Sequence, residues 1–129
     1  MKRLLMVLFI VLVTGCSEPN ESESEIVTTT SMESVANFTI ENDPSADFFF
    51  LNDVVYLRNE EIKVGMDKVG DLAGKIESMY SKGEKFTNFM STKLPVGTEI
   101  YQIKNEVSID HMIVKENDKL VMYTALPEG

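Results

Sequence analysis

The stretch Ala46–Asn59, ADFFFLNDVVYLRN, decides what kind of fold this chain can form. Two β-favouring runs, Ala46–Leu51 and Val54–Leu57, flank Asn52-Asp53. Those two residue types tolerate the positive φ of a tight hairpin turn. Side chains alternate between the faces of a strand, so Phe48 and Phe50 point one way and Phe49 and Leu51 the other. All four are large and apolar. A hairpin without a polar face must be covered on both sides, which calls for a closed or two-layered β structure.

The residues beyond it continue in short strands. SKGEKF (Ser81–Phe86) is a turn, and TNFMSTKLPVGTEIYQI supplies a short strand, a corner at Pro95–Gly97 and a strand over Thr98–Ile103. Pro95 presets φ and Gly97 offers a left-handed position. HMIVKENDKLVMYTAL forms a second hairpin: His111–Val114, a turn over Glu116-Asn117-Asp118, then Leu120–Thr124. Residues 62–80 fit two periods. Ile62, Met66, Val69, Leu72, Ala73, Ile76, Met79 and Tyr80 recur at helical spacing, but Gly65, Gly70 and Gly74 each cost about 1 kcal/mol inside a helix. The favoured reading is a short helical turn near Ile62–Val69 followed by a strand across Leu72–Tyr80. The expectation is a mainly β domain over 46–129, a small β-barrel or β-sandwich of about five to six strands with room for one short helix.

The N-terminus is organised differently. Met1-Lys2-Arg3 is positive, and Leu4–Val13 (LLMVLFIVLV) is an apolar run of 10 residues. A bilayer-crossing helix needs about 20 such residues, whereas a secretory signal peptide needs about this many. The run ends in Val13-Thr14-Gly15-Cys16 and carries the chain's single cysteine. These four residues resemble the lipobox of bacterial lipoproteins: Val13 stands for the branched aliphatic, Thr14 and Gly15 for the small pair, Cys16 for the acceptor. The resemblance implies a signal peptide over 1–15, cleavage between Gly15 and Cys16, and diacylglyceryl transfer to the Cys16 sulfur. A thiolate suits that step as the strongest side-chain nucleophile, and two acyl chains anchor firmly where one does not. The expected location is the extracytoplasmic face of the cell membrane. Residues 16–45 then read as the acylated cysteine and a disordered, acidic, Ser/Thr-rich tether, since their apolar residues look too scattered to make a face. Within it, SVANFTI could alternatively dock on the domain as a short strand.

A second resemblance covers about Asp47 to Gly129. ADFFFLNDVVY, VGDLAGKI, TKLPVGTEIYQIK and IVKENDKLVMYTALPEG together resemble a family of small exported Bacillus-type proteins of unknown function. Members pair an apolar hairpin with a Gly-containing segment, an LPVGTxIY corner and a terminal hairpin. The resemblance implies a mostly β fold and a Gram-positive source, and it implies no activity.

Net charge is −9. Such a surface repels phosphate backbones and anionic lipid headgroups, which argues against nucleic-acid partners and leaves the lipid chains as the membrane attachment. One cysteine excludes an internal disulfide and a thiol-rich metal site. His111 is the single histidine, flanked by Ile109, Met112 and Ile113, and reads as a strand residue on a half-buried face. Glu60-Glu61 and Asp67/Asp71 lack the opposed placement that acid–base work by two carboxylates requires, and no G-x-S-x-G is present. Catalytic residues, metal ligands and cofactors are therefore expected to be none. The leading expectation is a non-catalytic binding module of the cell envelope with a protein or peptide partner. The alternative is a small envelope hydrolase or ligand-binding lipoprotein using His111, which requires that ring in a concave pocket beside a carboxylate.

Overall fold

The computed structural model describes residues 31–127. Gly15, Cys16 and the rest of 1–30 lie outside the described residues. The described residues form one α-helix, α1 (Ser31–Asn42), and eight strands: β1 (Phe48–Leu51), β2 (Val54–Arg58), β3 (Val69–Lys75), β4 (Ser78–Met79), β5 (Met90–Ser91), β6 (Glu99–Ile103), β7 (His111–Glu116) and β8 (Lys119–Ala125). They make one mainly β sheet in the order β3-β6-β7-β8-β2-β1-β5-β4, curled into a half-barrel. The count exceeds the expected five to six; the single strand expected over Leu72–Tyr80 is two, β3 and the two-residue β4, and the short strand expected in TNFMSTKL is the two-residue β5.

The opening hairpin forms as its residues dictate. β1 and β2 pair antiparallel from Phe48↔Leu57 to Leu51↔Val54. Asn52 and Asp53 take φ of 51° and 66°, the twist-matched turn in which both central residues are left-handed. Every residue of β1 is buried. Phe49, Leu51, Tyr56, Ile76, Leu94, Ile100, Met112, Val114, Val121 and Tyr123 fill the concave side of the sheet. Phe48, Phe50, Val55, Phe86 and Met90 form a second core on the convex side, closed by Met32, Ala36 and Ala46.

That second core corrects the reading of residues 31–45 as disordered tether, and of SVANFTI as a strand: Ser31–Asn42 is a helix. Met32, Val35, Ala36 and Ile40 all pack on the convex core. Their spacing is that of one helical stripe, which the intervening Thr, Ser and Asn residues obscure. Glu33 sits in the first turn, favourable to the helix dipole. Pro44 disfavours helical geometry at Asp43 and ends the element. There, Asn42 Nδ2 donates to the Phe38 carbonyl at 2.8 Å, and the Ser45 backbone N–H and hydroxyl both donate to Asp43 Oδ1.

Residues 62–80 resolve as a single 3-10 turn at Met66–Lys68, then β3, a break, and β4. β3 and β4 are opposite edges of the sheet, so Ile76-Glu77 carries the chain from one edge to the other. Ile76 N–H donates to Thr98 O on the β6 side, while Glu77 N–H donates to Phe89 O on the β5 side. This crossing closes the half-barrel at one end. Two register shifts in β3 against β6 bend the strand toward it. Gly74 is required there: a Cβ would lie 2.4 Å from Phe89 Cζ. Phe89 itself holds φ at 62°, pinned by Phe89 N–H donating to Phe50 O at 2.7 Å.

The LPVGT corner is a turn with Thr98 N–H donating to Pro95 O at 3.1 Å and Gly97 at φ 96°. Gly97 sits where such a turn needs a left-handed residue, and Leu94 and Ile100 anchor the corner in the core.

Beside the closed end lies a charged cluster. Arg58 bonds Asp47 (3.1 Å) and Glu116 (3.0 Å) and contacts Glu60. The buried Tyr123 hydroxyl donates to Asp47 Oδ1 at 2.9 Å. Burial, then the Asp47 charge, push the Tyr123 phenol well above the usual tyrosine range.

Two outcomes follow from this geometry. Gly74→Ala must displace the Phe89 ring and should cost about 1–3 kcal/mol in chemical denaturation. The cost should shrink in a Phe89→Ala background, read as a double-mutant cycle. On the alkaline side, an unfolded phenol ionises near pH ~10 while native Tyr123 keeps its proton. The unfolded state therefore loses protons first, and stability falls above that pH, by up to about 1.4 kcal/mol per unit for this group. Tyr123→Phe should make the fall shallower in denaturation midpoints measured across pH 9–11, the range set by a tyrosine reference of ~10.

Candidate functional site

At the end away from the Ile76-Glu77 crossing the sheet stays open. The upper half of β3 diverges from the β1–β2 turn and from Asn88-Phe89, and between them lies a cavity of about 550 Å³. Its size is that of a pocket for a small molecule or an inserted side chain. Leu51, Tyr56, Ala73, Phe89 and Met112 make apolar walls; Asn52, Asn88, Gln102 and Ser108 add polar groups.

The architecture explains the walls. Leu51, Tyr56 and Met112 are concave-face residues near the open ends of β1, β2 and β7. They would be ordinary core if β3 closed against β5 along its whole length. Tyr56 stacks on Phe49 with centroids 5.1 Å apart and planes 18° from parallel. Burial, then the charge of Asp110, raise its phenol above the usual value. Its hydroxyl donates to the Ile109 carbonyl at 2.8 Å, tying the 104–110 loop to the cavity rim. The loop is also held by Ala125 N–H donating to Asp110 O and by Asp110 N–H donating to the Ser108 hydroxyl.

The loop and β3 leave apolar side chains in solvent around the mouth. Leu72, Val107 and Ile109 are all exposed and all border the cavity. Apolar groups gathered on one rim differ from singly scattered ones and mark a surface that meets a partner or ligand.

His111 heads β7 and lines the cavity with Glu106. Its Nδ1 lies 3.9 Å from Glu106 Oε2, the side chains 30% and 34% exposed. That is ion-pair range and too long for a hydrogen bond. The expected half-buried strand position of His111 is what the fold gives it, and the pocket beside a carboxylate that the alternative reading requires is present. The other acidic residues weighed from the sequence are elsewhere: Glu60 contacts Arg58 near the closed end, and Asp67 is the middle residue of the 3-10 turn.

Leu51, Tyr56, Phe89 and Glu106 were not legible as site residues. Three read as core, and Glu106 joins His111 through a turn whose shape the sequence does not announce. The one available signal was Val107 and Ile109, apolar residues in a loop.

Among the described residues no group of three or more His, Cys, Asp or Glu side chains is placed to hold a metal ion, and no helix is long and apolar enough to cross a membrane. No family model, curated protein or solved structure matches the chain.

Tyr56→Phe keeps the stack on Phe49 and removes the bond to Ile109. It should cost about 1 kcal/mol. Hydrogen exchange of the amides of 106–110 should accelerate while that of β7 and β8 does not.

Proposed function

We propose that this chain is a lipid-anchored lipoprotein, held at the extracytoplasmic face of the cell membrane through diacylglyceryl-Cys16, whose half-barrel is a non-catalytic binding module of the cell envelope. The anchor rests on Val13-Thr14-Gly15-Cys16 after the apolar run Leu4–Val13. Membership in the small exported Bacillus-type family rests on the LPVGTxIY-type corner and its flanking strands. The single observation that carries the binding role is the open cavity with apolar walls, ringed by exposed Leu72, Val107 and Ile109. The partner is a protein, peptide or envelope component, and nucleic acid is excluded on charge.

A second reading has its own observation. His111 and Glu106 face each other inside the cavity, as a general base and the carboxylate that orients it would. Under that reading the chain is a small envelope hydrolase. His111→Ala would then abolish turnover of a soluble ester panel, whereas the binding reading expects no turnover by either protein.

The anchor and the module are tested separately. Cys16→Ala should abolish palmitate incorporation and leave the leader uncleaved; labelling or cleavage at the usual place in this variant overturns the lipoprotein assignment. For the module, a photo-crosslinking residue at Gln102, on the cavity rim, should trap a discrete envelope adduct. The same residue at Asp118, in the β7–β8 turn, should not. Equal adducts from both positions, or none from Gln102, remove the cavity as the binding surface.

A further inference from the structure

We propose that the cavity takes a primary ammonium group carried on an apolar stem, with Glu106 as its counter-ion. The inference rests on the cavity being a binding site and adds the chemistry of what enters it.

The charges select the ligand. Glu106 is the one acidic side chain among the lining residues, and no Lys or Arg lines the cavity. An anionic ligand would meet a carboxylate and no counter-charge, in a chain of net charge −9. A neutral apolar ligand would make no use of Glu106, the one carboxylate on the cavity wall. An ammonium answers both problems. It supplies three donors to a carboxylate that His111 approaches only to 3.9 Å, and a charge-assisted bond of this kind outweighs a neutral one.

The neighbouring basic side chains do not take that role. Lys63 and Lys68 border a shallower groove that shares Glu106 and His111 with the cavity, together with Ile62, Val64 and Met122. Among the described residues the ion-pair partner of the Glu106 carboxylate is His111. Glu106 thus stands between two spaces and is engaged by a lysine from neither.

The walls fit the stem. Leu51, Tyr56, Phe89 and Met112 offer apolar contact to a chain of methylenes. Two sources share this chemistry: a free alkylamine and the side chain of a lysine in an extended polypeptide. The exposed Leu72, Val107 and Ile109 would cover the backbone flanking such a lysine.

The test uses the full chain in neutral phosphatidylcholine nanodiscs, with amide shifts of Leu51, Ala73, Phe89 and Met112 as the reporter. The probes are n-hexylamine, n-hexanol, hexanoate, acetyl-Ala-Lys-Ala-amide and the same tripeptide with its lysine Nζ acetylated. Hexylamine or the lysine tripeptide should shift these amides, hexanoate should not, and Nζ acetylation should abolish the tripeptide effect. Glu106→Gln should weaken binding about tenfold or more while the remaining amide spectrum stays in place. A tripeptide that binds more tightly than hexylamine supports a polypeptide lysine; the reverse supports a free amine. Hexanol or hexanoate binding as tightly as hexylamine, or an unchanged affinity in Glu106→Gln, overturns the ammonium assignment and leaves the binding module standing. Silence from every probe also overturns it. Loss of the module itself would register separately, as the absence of the Gln102 crosslink.

Discussion

β1 has no side that can face water. Phe48, Phe49, Phe50 and Leu51 are all buried, and in a strand they are split between two faces. Each face therefore needs its own cover, and the rest of the domain is the means of supplying it. The sheet curls so that β6, β7 and β8 cover the concave face. The helix α1 and the Tyr80–Phe86 turn cover the convex one. Within that second cover Phe86 packs against both Phe48 and Phe50, and Tyr80 stacks flat on Phe86 with centroids 4.5 Å apart. A large aromatic buries about 150–250 Å², so leaving either face open would forfeit several kcal/mol by the usual ~25 cal/mol per Å².

Curling has a geometric consequence. A sheet of this order can close only if its two edge strands meet, and here the chain makes them meet by running β3 directly into β4 through Ile76-Glu77. Gly74 and Phe89 form the joint: the absence of a Cβ makes room for the ring, and the ring fills the interior above the crossing. Closure at that end is tight, with Arg58, Asp47, Glu116 and Tyr123 bonded into one network beside it. The same bend that joins β3 to β4 carries the upper half of β3 away from β1. The cavity is thus a by-product of how the barrel closes, made permanent by the loop that Tyr56 holds on its rim. Structure and candidate function share one device.

The residues differ in how openly they announced these roles. The β1–β2 turn was legible because Asn-Asp between two apolar runs has few other uses, and β7–β8 because its hairpin is equally local; Asn117 does take a positive φ there, of 58°. The helix was not legible. Its stripe of Met32, Val35, Ala36 and Ile40 is sparse, and β-branched Val, Thr and Ile carry low helix propensity. Packing on Phe48 and Phe50 decides its conformation, and that contact lies far along the chain. β4 and β5 fall inside expected strands, over Leu72–Tyr80 and in TNFMSTKL, but their bounds and partners were not legible, for a different reason. A strand of two residues is defined by its partners, here the parallel pair Ser78↔Met90 and Met79↔Ser91, with no pattern of its own. Met66 and Met79, which fit a helical spacing with the apolar residues around them, are exposed: Met66 opens a 3-10 turn and Met79 lies on the edge strand β4.

By itself the sequence determined the local chemistry: two hairpins with left-handed turn residues, a strand that must be buried on both faces, an acidic surface, and a lone cysteine after a short apolar run. Each of these is set by residues adjacent in the chain, so spacing alone carries the information. Only the tertiary structure decided that the sheet closes at one end and stays open at the other. It also decided that a helix, not a tether, covers the convex core, and that Glu106 and His111 share a cavity with Tyr56 and Phe89. Those outcomes depend on where β3 bends, and the bend is set by the packing of Gly74 on Phe89, two residues with nothing in the intervening sequence to connect them.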